Sequence, residues 1–75
     1  MVGMASDVCT LLGQKIRKLR KARGWRQLDL AEQAGINENY VFDLELGRKE
    51  GCLRTLSILA GAFGLKLHKL LRGID

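Results

Sequence analysis

Seventy-five residues carry thirteen Lys and Arg against eight Asp and Glu, for a net charge of +5. A chain this short forms one small domain with a modest core, and its charge points to a polyanionic partner, nucleic acid being the commonest. Aliphatic residues are plentiful, aromatics are few and proline is absent, which favours a compact all-α domain over a sheet protein.

The longest apolar runs are too short to span a bilayer, and no basic-then-apolar leader opens the chain, so the expected location is the cytoplasm, of prokaryotic or phage type. Cys9 and Cys52 stand without a CxxC or CxxH partner. Reduced thiols are expected, with no metal, cofactor or small-molecule ligand.

Residues 1–5, MVGMA, show no packing pattern and read as a flexible N-terminal arm, leaving residues 6–75 as a single domain. Ser6 suits the N-cap of a first helix, with Asp7 placed to complement the dipole. Val8, Leu12, Ile16 and Leu19 then recur at helical spacing until Gly24 closes the segment. Between Gln14 and Arg26 lie seven positive charges and no negative ones. A solvated face would use them for solubility, whereas a phosphate-facing stripe would use them to release counterions. Their scatter around the helix allows only a subset to face one polyanion.

Trp25 is placed to pack over the first turn of the next helix. That second helix spans about 27–34, with Leu30, Ala31 and Ala34 inward. Gly35 fits the left-handed turn after it, and Ile36 plugs the corner. Asn37 is a good N-cap for a third helix, whose core side shows Val41 and Leu44 and which ends at Gly47. RKEG at 48–51 is a basic loop. A fourth helix, about 53–63, places Leu56, Leu59, Ala60 and Phe63 on one face, and Leu67, Leu70 and Leu71 form a fifth. Helix, turn and helix across about 27–46 make a helix-turn-helix.

Three of the expected caps are poor. Arg26, Cys52 and Lys66 stand where Ser, Thr or Asp would begin helices two, four and five, a loss of about 1 kcal/mol each. Arg26 could exchange capping for a phosphate contact. His68, the single histidine, has no carboxylate or nucleophile at catalytic spacing, so no enzyme is expected.

The ordered set IRKLR, the Gln27–Leu30–Ala31–Gly35 spacing, LELGR at 44–48 and TLSILA at 55–60 resembles the lambda-repressor-like Cro/CI (XRE-type) DNA-binding domains, over residues 12–71. The resemblance implies a five-helix fold with the third helix in the major groove, and dimers that read two half-sites about one helical turn apart. It places Asn37, Glu38, Asn39 and Asp43 at base-reading positions. Lys15, Arg26, Gln27, Tyr40, Arg48 and Lys49 fall at candidate phosphate positions, and Arg20 and Glu45 at an internal salt bridge. Glu38 and Asp43 are unusual for such a helix, because phosphates repel acids. Carboxylates do accept from the cytosine amino group, and Asn bonds bidentately to adenine.

Ile58, Gly61, Ala62 and Leu65 form a smooth stripe on the fourth helix that suits a homodimer interface completed by Ile74. Cover by the fifth helix or the N-terminal arm is the other way to bury it. Phe42 and Leu46 could contact thymine methyls. The expected function is sequence-specific binding of a double-stranded operator with inverted-repeat half-sites, as a transcriptional regulator of repressor or controller type. Its alternative is a helix-turn-helix fold used to bind another regulator, with little DNA affinity of its own.

Overall fold

The computed structural model describes the backbone of residues 2–74 and the side chains of residues 8–74. Within them the chain forms α1 (Val2–Ala22), α2 (Gln27–Ala34), α3 (Glu38–Glu45), α4 (Leu53–Ala62) and α5 (Leu67–Leu71). α1 packs on α3, α2 on both α3 and α4, and α4 on α5. α1 is about 30 Å long at 1.5 Å per residue, and the molecule measures 35 × 24 × 22 Å.

The core collects the residues that helical spacing selects. Leu12 and Ile16 of α1 meet Leu30, Ala31 and Ala34 of α2, Val41 and Leu44 of α3, Leu56, Leu59, Ala60 and Phe63 of α4, and Leu70 of α5. Leu19, Trp25, Ile36, Leu67 and Leu71 pack around it, half-buried. Val8 corrects the expected core: it is 48% exposed, lining an open apolar hollow with Leu56, Leu71 and Ile74.

The start of α1 is a second correction. The helix extends back to Val2, so residues 2–5 are not a separate arm and Ser6 lies inside the helix, not at its N-cap; Met1 falls outside the described residues. No proline interrupts this segment, and Gly3 alone is a weak stop.

Two glycines fix the backbone that presents α3. Gly35 adopts φ +68°, and its neighbour Ile36 donates back to the Ala31 carbonyl at 3.0 Å, which turns the chain sharply between α2 and α3. Gly13 lets α1 press against the end of α3. A Cβ there would collide with the Leu44 carbonyl oxygen and lie 2.6 Å from that of Glu45.

Candidate nucleic-acid interface

α3 is held from beneath by a buried ionic network. Arg20 donates from Nε to Glu45 Oε2 at 2.7 Å and from Nη2 to Oε1 at 3.0 Å. Its Nη1 donates to the Trp25 carbonyl at 2.8 Å, and Gln27 Nε2 donates to Glu45 Oε1 at 3.1 Å. This forked pairing satisfies the carboxylate, as a buried charge requires. Arg20 and Glu45 therefore fasten α1, α2 and α3 together, as the salt-bridge expectation had it. The amide of Gln27, expected on a phosphate, belongs to the same network.

The stretch of seven cations divides by use. Besides Arg20, Lys15 points away from α3: its Nζ donates to the carbonyls of Lys69 and Arg72, both at 2.7 Å, and caps the C-terminal end of α5. Lys15 thus leaves the phosphate set, since α5 packs where its side chain reaches. Arg23 donates from Nη2 to the Phe63 carbonyl, and its guanidinium lies over the rings of Trp25 and Phe63, 5.7 and 5.0 Å from their centroids. Those rings stack with centroids 6.0 Å apart, which gives Trp25 its structural role. Arg17, Lys18 and Lys21 remain exposed.

Arg26 opens α2 without capping it, since a guanidinium has no acceptor. The reciprocal half of the capping arrangement is present instead. Asp29 accepts the Arg26 backbone N–H at 2.8 Å, and its oxygens take the guanidinium at 2.9 and 3.1 Å. These contacts hold the Asp29 carboxyl down to about 2 and raise the Arg26 pKa above its ordinary value. The Arg26 head stays exposed at the start of α2.

Asn37 caps α3, its Oδ1 accepting from the Asn39 N–H at 2.7 Å. The cap commits its oxygen, so Asn37 offers only its amide nitrogen outward. Glu38 and Asn39 are exposed on the first turn of α3, and Tyr40 is half-buried against the core. Asp43 sits further along, its side chain 25% exposed, with Arg48 Nη1 at 3.8 Å and Lys49 Nζ at 4.0 Å. The Arg48 guanidinium also lies 5.8 Å from the Phe42 ring centroid, and the Lys49 ammonium 5.8 Å from that of Tyr40. The loop after α3 folds back over its exposed side and carries two cations with it.

The sequence matches the pattern of the helix-turn-helix family over residues 16–70. The chain belongs to that family. Its relatives include the HTH-type transcriptional regulator DdrOP3 of Deinococcus deserti, 42% identical over 64 residues that cover 85% of this chain and 50% of that one. The chain spans about half the length or less of such curated relatives. Among solved structures, the restriction-modification controller protein C.AhdI from Aeromonas hydrophila superposes with a TM-score of 0.80 at 32% identity, covering 83% of this chain and 94% of that one. The biofilm master regulator SinR, crystallised in complex with DNA, superposes with a TM-score of 0.75 at 28% identity over 80% of this chain and 97% of that one.

One basic residue of this helix-turn-helix domain escapes the motif reading. Arg54 is exposed on the first turn of α4, shortly after the basic loop that carries Arg48 and Lys49. In sequence it follows the basic loop RKEG within the run RKEGCLR. Arg54 also stands beside Cys52, whose thiol contacts Thr55 Oγ1 at 3.2 Å. That hydrogen bond, helped by the Thr55 and Arg54 backbone N–H groups and the Arg54 charge, lowers the thiol pKa from its ordinary value.

The expected dimer stripe is split by the fold. Ile58 is 41% exposed and Gly61 is open, with nothing near its Cβ position. Ala62, Leu65 and Ile74 are half-buried and pack against the domain's own core.

Proposed function

We propose that this domain is a sequence-specific, double-stranded DNA-binding transcriptional regulator of repressor or controller type, and that it acts as a homodimer with α3 in the major groove. The observation that carries this reading is the frame around the first turn of α3. Glu38 and Asn39 are exposed there, with Arg26 at the start of α2, and Arg48 and Lys49 on the following loop beside Asp43. Polar side chains able to address base edges, bordered by cations able to address phosphates, form the division of labour that groove recognition needs. Likeness to SinR, a chain crystallised with DNA, supports it.

Within this reading Glu38 and Asn39 address bases, Asn37 contributes its amide nitrogen, and Arg26, Arg48 and Lys49 grip phosphates. Gln27 lends its own backbone N–H at the start of α2, while Tyr40 offers its hydroxyl. The dimer is proposed to form around Ile58, with Gly61 allowing close approach. Inverted-repeat half-sites follow from two-fold symmetry.

Selection from random duplexes tests the whole reading. An enriched inverted repeat is expected, with affinity falling linearly in log–log salt plots by about 0.9 for each phosphate neutralised. No enrichment, or a flat salt response, would count for the protein-binding alternative. Ile58→Arg should yield monomers with much weaker operator binding; an unchanged mass in solution would remove Ile58 from the interface.

A further inference from the structure

The acids on α3 look alike in sequence, yet they stand in different surroundings. Glu38 has no cationic partner among the described ion pairs. Asp43 has two, Arg48 at 3.8 Å and Lys49 at 4.0 Å. We infer that Asp43 reads no base but is a positioning residue, which holds Arg48 and Lys49 over α3 for contact with backbone phosphates. This inference rests on the DNA-binding reading above and divides the labour within it.

Three features of the geometry carry it. Each cation stands within reach of two groups: Arg48 near the Asp43 carboxylate and the Phe42 ring, Lys49 near the same carboxylate and the Tyr40 ring. The loop itself is tied to the same residue, since the Arg48 N–H donates to the Asp43 carbonyl at 2.9 Å. Finally, the Asp43 side chain is only 25% exposed, so its carboxylate is partly withdrawn from solvent beside those cations. An ammonium or guanidinium on a free side chain must be immobilised when it meets a phosphate, and arranging it beforehand lowers that cost. The paired acid also carries its own neutralising charge, which explains how a phosphate-facing helix tolerates it.

Magnitudes separate this role from base reading. Exposed ion pairs are weak, so losing one should change affinity by about two- to fivefold. Losing a specific base contact should change discrimination at one position by about five- to a hundredfold or more. The test uses the duplex selected by the unaltered chain and compares it with Asp43→Asn, with Arg48→Met/Lys49→Met, and with the triple variant. Asp43→Asn is close in shape, and Asp43→Ala serves as a second variant.

The expected result is a preference profile unchanged at every base position. Affinity should fall by about two- to fivefold, and that fall should vanish once both cations are replaced. A tenfold loss of discrimination at any position would overturn the inference. So would an affinity that does not fall, or a fall of equal size with and without Arg48 and Lys49. Failure of the unaltered chain to bind any duplex would overturn the DNA-binding reading and this inference together. Binding with an altered Asp43→Asn profile would overturn this inference alone.

Discussion

The guanidinium of Arg20 on α1 grips the carboxylate of Glu45 at the end of α3 through two hydrogen bonds, of 2.7 and 3.0 Å. Their side chains are 9% and 3% exposed, so the pair is withdrawn from water and screened little. It ties the C-terminal end of α3 to α1. A buried pair is costly to break from one side, because the surviving charge keeps its desolvation and loses its partner.

Glu45→Ala and Arg20→Ala are each expected to lower the free energy of unfolding by about 3–5 kcal/mol. Replacing both with apolar residues of similar volume, as in Arg20→Met/Glu45→Leu, should cost less than either single change. Urea unfolding of the four proteins checks this. A double variant as unstable as the sum of the two singles would mean that the pair is not coupled.

Gly13 gives a prediction of unusual sign. Gly to Ala within a helix ordinarily stabilises by up to about 1 kcal/mol. Here the new methyl would strike the carbonyl oxygens of Leu44 and Glu45, which are backbone and cannot swing aside. Gly13→Ala should therefore destabilise by about 1–3 kcal/mol as α1 and α3 are forced apart. Thermal or urea unfolding decides it, and a stabilised variant would show that the helices separate freely.

Much of this architecture was legible before any coordinates. The inward sets Leu30–Ala31–Ala34 and Leu56–Leu59–Ala60–Phe63 follow from helical period, and all of them are buried. The features that stayed hidden depend on what another element brings alongside. Gly13 looks like a mere helix-weakening residue until α3 lies against it. Lys15 looks like part of a basic stripe until the carbonyls of Lys69 and Arg72 arrive over its ammonium. Arg26 looks like a missing cap because the N-cap position is read for its own acceptor, and the Asp29 carboxylate that answers its N–H sits three residues later. Asp43 was visible as an acid on α3; its two cations became its neighbours only when the loop folded back.

The Asp29 contact makes stability depend on pH at the acid end. Its folded-state carboxyl lies at about 2, against an ordinary value of 3.8. A depressed carboxyl stabilises the fold when ionised, so the contribution is complete above the ordinary value and is lost as pH falls from about 4 through about 2. Asp29→Asn keeps an acceptor for the Arg26 N–H but removes the charge. The stability difference between the unaltered chain and Asp29→Asn should shrink across that window and stay constant from pH 5 to 7. A difference that grows on acidification would contradict the assignment.

Glu38 offers the sharpest test of what α3 reads. It occupies the first turn of the helix, where a carboxylate complements the positive end of the dipole, and it is exposed. If the dipole were its whole purpose, Glu38→Gln would cost a few tenths of a kcal/mol in stability and leave base preference untouched. As a base reader it should accept from a cytosine amino group, and Glu38→Ala should erase preference for cytosine at one position of each half-site, a change of about 1–3 kcal/mol in discrimination. Affinity for unrelated duplexes should rise at the same time, because a negative charge has left the surface proposed to face phosphates. Selection from random duplexes with both variants measures the two effects separately. A cytosine preference retained by Glu38→Ala, with tighter binding to every sequence alike, would leave Asn39 and the amide of Asn37 as the readers on this helix.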